Sequence, residues 1–254
     1  MPNSNVETSP QDAESDSTRS TLSAEPVASL TSRLGGWLLR GGIAVLLLLR
    51  RPRPIHSRGA VFEGEMTALR RGATSGIGWI DDPPDGPVTI VARVSRSVGL
   101  PSLLPDVYGI GIRWEHDGAP VDLQLSSTGI GFPGRYLLMP RLTLSRAVLS
   151  SVLPYRTARG PVLLCARTVP ARRLPGDLAA LRQSVDEKPW TLRLYFASPR
   201  GKWHPFADAR LSRSRPDDDP DLRFDIDTNP LPGAATYPWV RALRQPSYRL
   251  SQRG

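Results

Sequence analysis

From position 60 onward the chain is a series of short apolar or alternating segments broken by clusters of turn residues, and that rhythm constrains its architecture more than any other feature. Residues 60–69 (AVFEGEMTAL), 88–94 (VTIVARV), 107–114 (VYGIGIRW) and 121–125 (VDLQL) carry the two-residue period or compact apolar run of β-strands. Between them stand Asp81-Asp82-Pro83-Pro84-Asp85-Gly86 and Glu115-His116-Asp117-Gly118, whose Asp, Pro and Gly residues favour tight turns. Four strands in succession joined by such turns predict an antiparallel meander. Further on, the patterning predicts a helix over 142–152, a strand over 161–168, a short helix over 177–185, and strands over 190–197 and 206–211. With 26 Pro and 22 Gly in 254 residues, the composition argues against an all-helical protein. The fold class expected is α+β.

Upstream of the strands the character changes. Residues 1–33 are rich in Ser, Thr, Asn, Asp, Glu and Pro without apolar periodicity, so they bury too little surface to offset their ordering entropy and are expected to be a disordered tail. Residues 34–50 form the most apolar stretch, expected as a helix. Arg40 and two Gly pairs interrupt it, it is too short to span a bilayer, and it lies too far from the start for an ordinary signal peptide. Two readings stay open: a helix packed on the domain or on a second copy in a homodimer, or a peripheral helix on a membrane surface with Trp37, Arg50, Arg51 and Arg53 at the headgroups. Pro52 and Pro54 end it. The expected location is cytoplasmic, with membrane association through 34–50 on the second reading.

The net charge is +9, from 33 basic against 24 acidic residues, and nearly all the cations are Arg, which suits carboxylate and phosphate partners. The charges are scattered, and neither an aromatic ladder nor a basic helix accompanies them, which argues against nucleic acid as a partner. Cys165, the one cysteine, lies in the apolar run 161–167 and reads as a small buried residue rather than a nucleophile. Three histidines and one cysteine give no zinc cluster. His116 and His204 stand beside turns and read as solvated or packed. The sequence Gly129-Ile130-Gly131-Phe132-Pro133-Gly134 spells G-x-G-x-x-G, but no parallel β-α-β pattern surrounds it and Pro140 interrupts the helix that a dinucleotide would need. The acidic stretch 215–221 contains two prolines and no ligand register, so it reads as a solvated loop. No G-x-S-x-G nucleophile elbow is present.

His56 is the histidine best placed for chemistry. It sits in Arg53-Pro54-Ile55-His56-Ser57-Arg58-Gly59, at the mouth of the first strand, and imidazole titrates near neutrality. Downstream come Arg93-Val94-Ser95 at the end of the second strand, then Pro105-Asp106-Val107-Tyr108-Gly109-Ile110-Gly111-Ile112-Arg113, then Val121-Asp122-Leu123. This order resembles the catalase superfamily, which shows H-A-K-G, R-F-S, R-D-x-R-G-F-A-x-K-F and W-D-L in the same sequence and at similar spacing. The likeness covers roughly residues 56–127, and the remainder from 142 to 254 fits loosely, as in a small, shortened relative.

The resemblance implies a catalase-like antiparallel β-barrel with appended helices over 51–254, a haem pocket against the barrel, and activity on a peroxide or an organic (lipid) hydroperoxide. It makes His56 the distal base, Ser95 the hydroxyl that orients its ring, and Arg93 the partner of a haem propionate. Tyr108 stands where the family has a second propionate-binding Arg, and Ser126 or Ser127, of which Ser127 is taken as the site residue, where it has a distal Asn. The family's R-x-F-x-Y-x-D resembles Arg244-Gln245-Pro246-Ser247-Tyr248, which implies Tyr248 as the metal ligand, bound as phenolate, with Arg244 lowering its pKa. Pro246 departs from that pattern, as do Tyr108 and Ser127. They favour a second reading, a haem-free catalase-fold protein that binds a small apolar ligand or a partner.

Overall fold

The computed structural model describes residues 59–69, 72–97, 99–215 and 222–241. The expectations placed on 1–33, 34–50, His56, Arg244 and Tyr248 lie outside these residues, as does most of the acidic stretch.

Ten strands form one hydrogen-bonded system. In chain order they are β1 (Gly59–Ala68), β2 (Val88–Arg96), β3 (Tyr108–His116), β4 (Ala119–Thr128), β5 (Val148–Ser150), β6 (Tyr155–Thr157), β7 (Gly160–Thr168), β8 (Trp190–Ala197), β9 (His204–Ser214) and β10 (Ala234–Thr236). The run β5-β4-β3-β2-β1-β9-β8 is antiparallel throughout, and β7 pairs with both β5 and β8, which closes eight strands into a barrel. Closure leaves no open edge around the ring. Strands β6 and β10 form a flap hydrogen-bonded to β7.

Alternation fills the interior. Phe62 and Met66 of β1, Ile90, Ala92 and Val94 of β2, Ile110 and Ile112 of β3, and Leu123 and Leu125 of β4 point inward and are buried together. An eight-stranded barrel has just enough room for such side chains, so it is a packed core and not a pore. At Gly64 the ladder between β1 and β9 shifts register, and a Cβ there would collide with the Arg210 backbone, so the bulge needs glycine.

Among the described residues, α1 (Gly78–Asp81) and α2 (Leu178–Glu187) accompany the barrel. Asp177 caps α2, its side chain accepting from the Ala179 and Ala180 amides at 3.0 Å each. Leu181 and Val185 bury its apolar face against β9 and β1. Arg182 of this helix donates to the Gly59 carbonyl at 2.6 Å and so pins the first residue of the barrel.

The helix expected over 142–152 does not form. Residues 148–150 are strand β5 and the segment before them is turns, tied by the antiparallel bridge between Asp106 and Arg141 and by the Ser145 hydroxyl, which accepts from the Leu174 amide at 2.8 Å. Apolar spacing in so short a run satisfies either period, and pairing with β4 and β7 decides for the strand. The other expected strands and the 177–185 helix are present with ends moved by a few residues. The flap strands β6 and β10 and the single turn α1 had no expectation. Among the described residues no helix is long and apolar enough to cross a membrane.

Candidate functional site

The outward faces of β1–β4 form two cross-strand rows. Gly59 is opposite Ser95, Ser95 opposite Gly109, and Gly109 opposite Ser126. The next row is Val61, Arg93, Gly111 and Gln124. The first row contains nothing larger than serine. Three inter-strand spacings of ~4.8 Å make it about 14 Å wide.

Small residues here let neighbouring groups approach the backbone. The Arg93 side chain lies across Gly59, where a Cβ would come within 2.7 Å of its Cζ and Nε. Ser95 Oγ would be 3.3 Å from a Cβ at Gly109. The structure thus brings Arg93 and Ser95 together on one face, with a guanidinium at the border of a flat, small-residue floor.

Gly111 is covered by a distant part of the chain. The Phe224 ring rests on it, with Cγ 2.6 Å from where a Cβ would stand, so any other residue would displace the ring. The Arg113 guanidinium stacks on the same ring, 5.3 Å from its centroid. Asp122, fully buried, holds this arrangement from below. It pairs in bidentate fashion with Arg113 at 2.7 and 2.8 Å, and it accepts from the Asp225 amide at 2.7 Å and from Asn229 Nδ2 at 2.9 Å. Gln124 adds a bond from Nε2 to the Phe224 carbonyl at 2.6 Å. The hydrogen bond from Arg113 to the Asp122 carboxylate raises the Arg113 pKa, so its guanidinium stays charged.

Tyr108 and Ser127 do not join this face. Strand parity turns both inward with Ile110 and Leu125. The Tyr108 hydroxyl donates to the carbonyls of Leu142 at 3.1 Å and Gly176 at 2.9 Å, and burial pushes its pKa up. Ser127 Oγ accepts from the Tyr108 amide at 3.1 Å and donates to the Met139 carbonyl at 2.7 Å. Together they tie the loops after β4 and β7 to the barrel end. Ser126, the neighbour of Ser127, is the hydroxyl on the outer row.

Cys165 is 1% exposed, and burial pushes its thiol up to about 12, as expected for an inert packed residue. The G-x-G-x-x-G stretch is a surface loop closed by a bond from the Gly129 amide to the Gly134 carbonyl at 3.0 Å.

No family model and no curated protein matches the sequence. Solved structures do. A fungal catalase superposes with a TM-score of 0.59 at 13% identity, covering 83% of this chain and 62% of its own. Catalase A from Saccharomyces cerevisiae gives a TM-score of 0.58 at 9% identity, covering 82% and 63%. The fold is catalase-like. It is an antiparallel β-barrel with few appended helices, and the chain spans less than two thirds of the length of either catalase.

The sequence resemblance had singled out Arg93 and Ser95, but not Gly59, Gly109 and Gly111 as a floor, Phe224 as its wall, or the Asp122–Arg113 clamp. The glycine spacing Gly109-Ile110-Gly111 was the available signal for the floor. Nothing local marks Phe224, which meets Gly111 from 113 positions away.

Proposed function

We propose that this catalase-like protein binds haem on the outer face of β1–β4 and acts on a peroxide or an organic hydroperoxide. The observation that carries the reading is the row Gly59, Ser95, Gly109, Ser126 with Arg93 at its border. A flat macrocycle with carboxylate arms needs a broad surface free of large side chains and a cation at its edge, and these residues fit that need.

Haem, when bound, supplies the redox iron at which a peroxide O–O bond is cleaved. Arg93 holds a propionate through its planar fork. His56, three positions before Gly59, takes the proton from one peroxide oxygen and returns it to the other, with Ser95 orienting its ring. Tyr248, made acidic by Arg244, would be the ligand to the iron. Ser126, on the outer row, would take the part of the family's distal Asn, while Tyr108 and Ser127 face the barrel interior.

Reconstitution with hemin tests this directly. The wild type should develop a stoichiometric Soret band that Tyr248→Phe abolishes or shifts. A protein that takes up no haem overturns the proposal. It would favour the second reading, a haem-free module for a small apolar ligand or partner, for which the observation is Phe224 already seated on Gly111.

A further inference from the structure

One apolar protrusion on the barrel is independent of the haem face. The loop 129–137 is pinched at its base, where Gly129 and Gly134 meet backbone to backbone and a Cβ on Gly129 would come within 3.0 Å of Gly134. The pinch pushes Ile130, Gly131 and Phe132 out from the surface. Ile130 is 43% and Phe132 55% exposed, and open space surrounds Gly131. Two large apolar side chains at one protruding tip form a local apolar point available for contact.

The hairpin 198–203 between β8 and β9 braces this loop. Arg135 donates to the Ser198 and Gly201 carbonyls at 3.1 Å each and stacks 4.6 Å from the Trp203 ring centroid. Trp203 Nε1 donates to the Ile130 carbonyl at 2.9 Å, and the Tyr136 hydroxyl to the Pro199 carbonyl at 3.1 Å. The tip is therefore held firmly rather than free to fold back. The charged residues of the loop and hairpin, Arg135, Arg200 and Lys202, are all cations. The Arg200 guanidinium lies 4.7 Å from the Phe132 ring centroid, and Arg200 and Lys202 are exposed. From residue 123 to 176 the sequence has eight arginines and neither Asp nor Glu, and 198–203 has no acid either.

We infer that the loop 129–137 and the hairpin 198–203 dock on an anionic lipid surface, with Ile130 and Phe132 entering the acyl boundary and Arg200 and Lys202 meeting the headgroups. Rigid apolar residues outermost, an indole just behind them and cations alongside match the layering of a bilayer interface. A nucleic acid would draw on the cations but gain nothing from Ile130. An acidic protein surface would leave the protruding apolar tip without a matching medium.

The test uses the full chain and vesicles of phosphatidylcholine alone or with about 30% phosphatidylserine. Cosedimentation should require the anionic lipid and weaken from about 0.1 M to about 1 M salt, as charges become screened. Ile130→Ser with Phe132→Ser, and separately Arg200→Glu with Lys202→Glu, should each lower partitioning roughly tenfold with thermal melts unchanged. A fluorophore on Gly131→Cys, a position with room for it, should shift to the blue on vesicle addition, and buried Cys165 stays unlabelled. Both double variants binding like the wild type would overturn the inference. So would an unshifted label on vesicle-bound protein, or failure of the wild type to bind anionic vesicles.

Discussion

The Arg93 guanidinium lies across Gly59, so a methyl group on that glycine would stand 2.7 Å from Arg93 Cζ. The obstacle is the far end of a flexible side chain, so the strand can keep its place while the guanidinium is moved.

Gly59→Ala should therefore leave the fold intact, with a stability change within about 1 kcal/mol, and shift Arg93 off the outer row. On the proposed haem reading, affinity measured by Soret titration should fall roughly tenfold, about 1.4 kcal/mol, as expected for losing one charge-assisted pair. Unchanged affinity would separate Arg93 from cofactor binding.

Phe224 and Gly111 should be energetically coupled. Gly111→Ala forces the ring away and should cost about 1–3 kcal/mol in urea unfolding, the range for overpacking. Phe224→Ala loses the ring's packing and its stacking with Arg113. If the two touch as described, the double variant should be less destabilised than the sum of the singles by at least about 0.5 kcal/mol. Strict additivity would contradict the contact.

Asp122→Asn should release the segment 222–229. Removing one partner of a buried ion pair costs about 3–5 kcal/mol, and partial exposure of Arg113 places this case near the lower end. Native-state proteolysis should cut within 222–229 much faster than in the wild type, while the barrel strands stay protected. Cleavage unchanged at this segment would show that the clamp does not hold it.

The Cys165 thiol predicts alkaline behaviour. Its pKa rises from an ordinary 9.0 to about 12 on folding, chiefly through burial, so the unfolded chain loses this proton first. The resulting stability is fully present below pH 9.0 and is lost as pH climbs towards about 12. The slope approaches 1.4 kcal/mol per pH unit at most, an upper bound that water penetration lowers. Cys165→Ala should flatten the stability profile in that window relative to the wild type, and the native thiol should not react with aromatic disulfides at pH 8. A wild-type profile no steeper than that of Cys165→Ala would refute the assignment.

Part of the candidate site was readable and part was not. Arg93 and Ser95 follow from a short motif at the end of a strand, and parity then puts them on one side. The same parity was available for Ser127, because Val121, Leu123 and Leu125 are the apolar members of that strand and 127 continues their series. Tyr108 likewise continues Ile110 and Ile112. At these two positions family correspondence and strand alternation point different ways, and the alternation that turns them inward is the stronger physical signal. Phe224 was out of reach, since its partner is set by how a segment beyond β9 crosses the barrel wall.

The sequence by itself marked strands β1–β4 and β7–β9 and the short helix that starts at Asp177. Each of these rests on a two-residue or 3.6-residue period or on one side chain bonding to nearby amides. Only the tertiary structure decided that residues 148–150 are a strand, that β7 meets β8 to close the barrel, and that Gly59, Ser95, Gly109 and Ser126 stand in one row. Register and closure come from pairing between residues far apart in the chain, and a row of four small residues exists only once four strands have been set side by side.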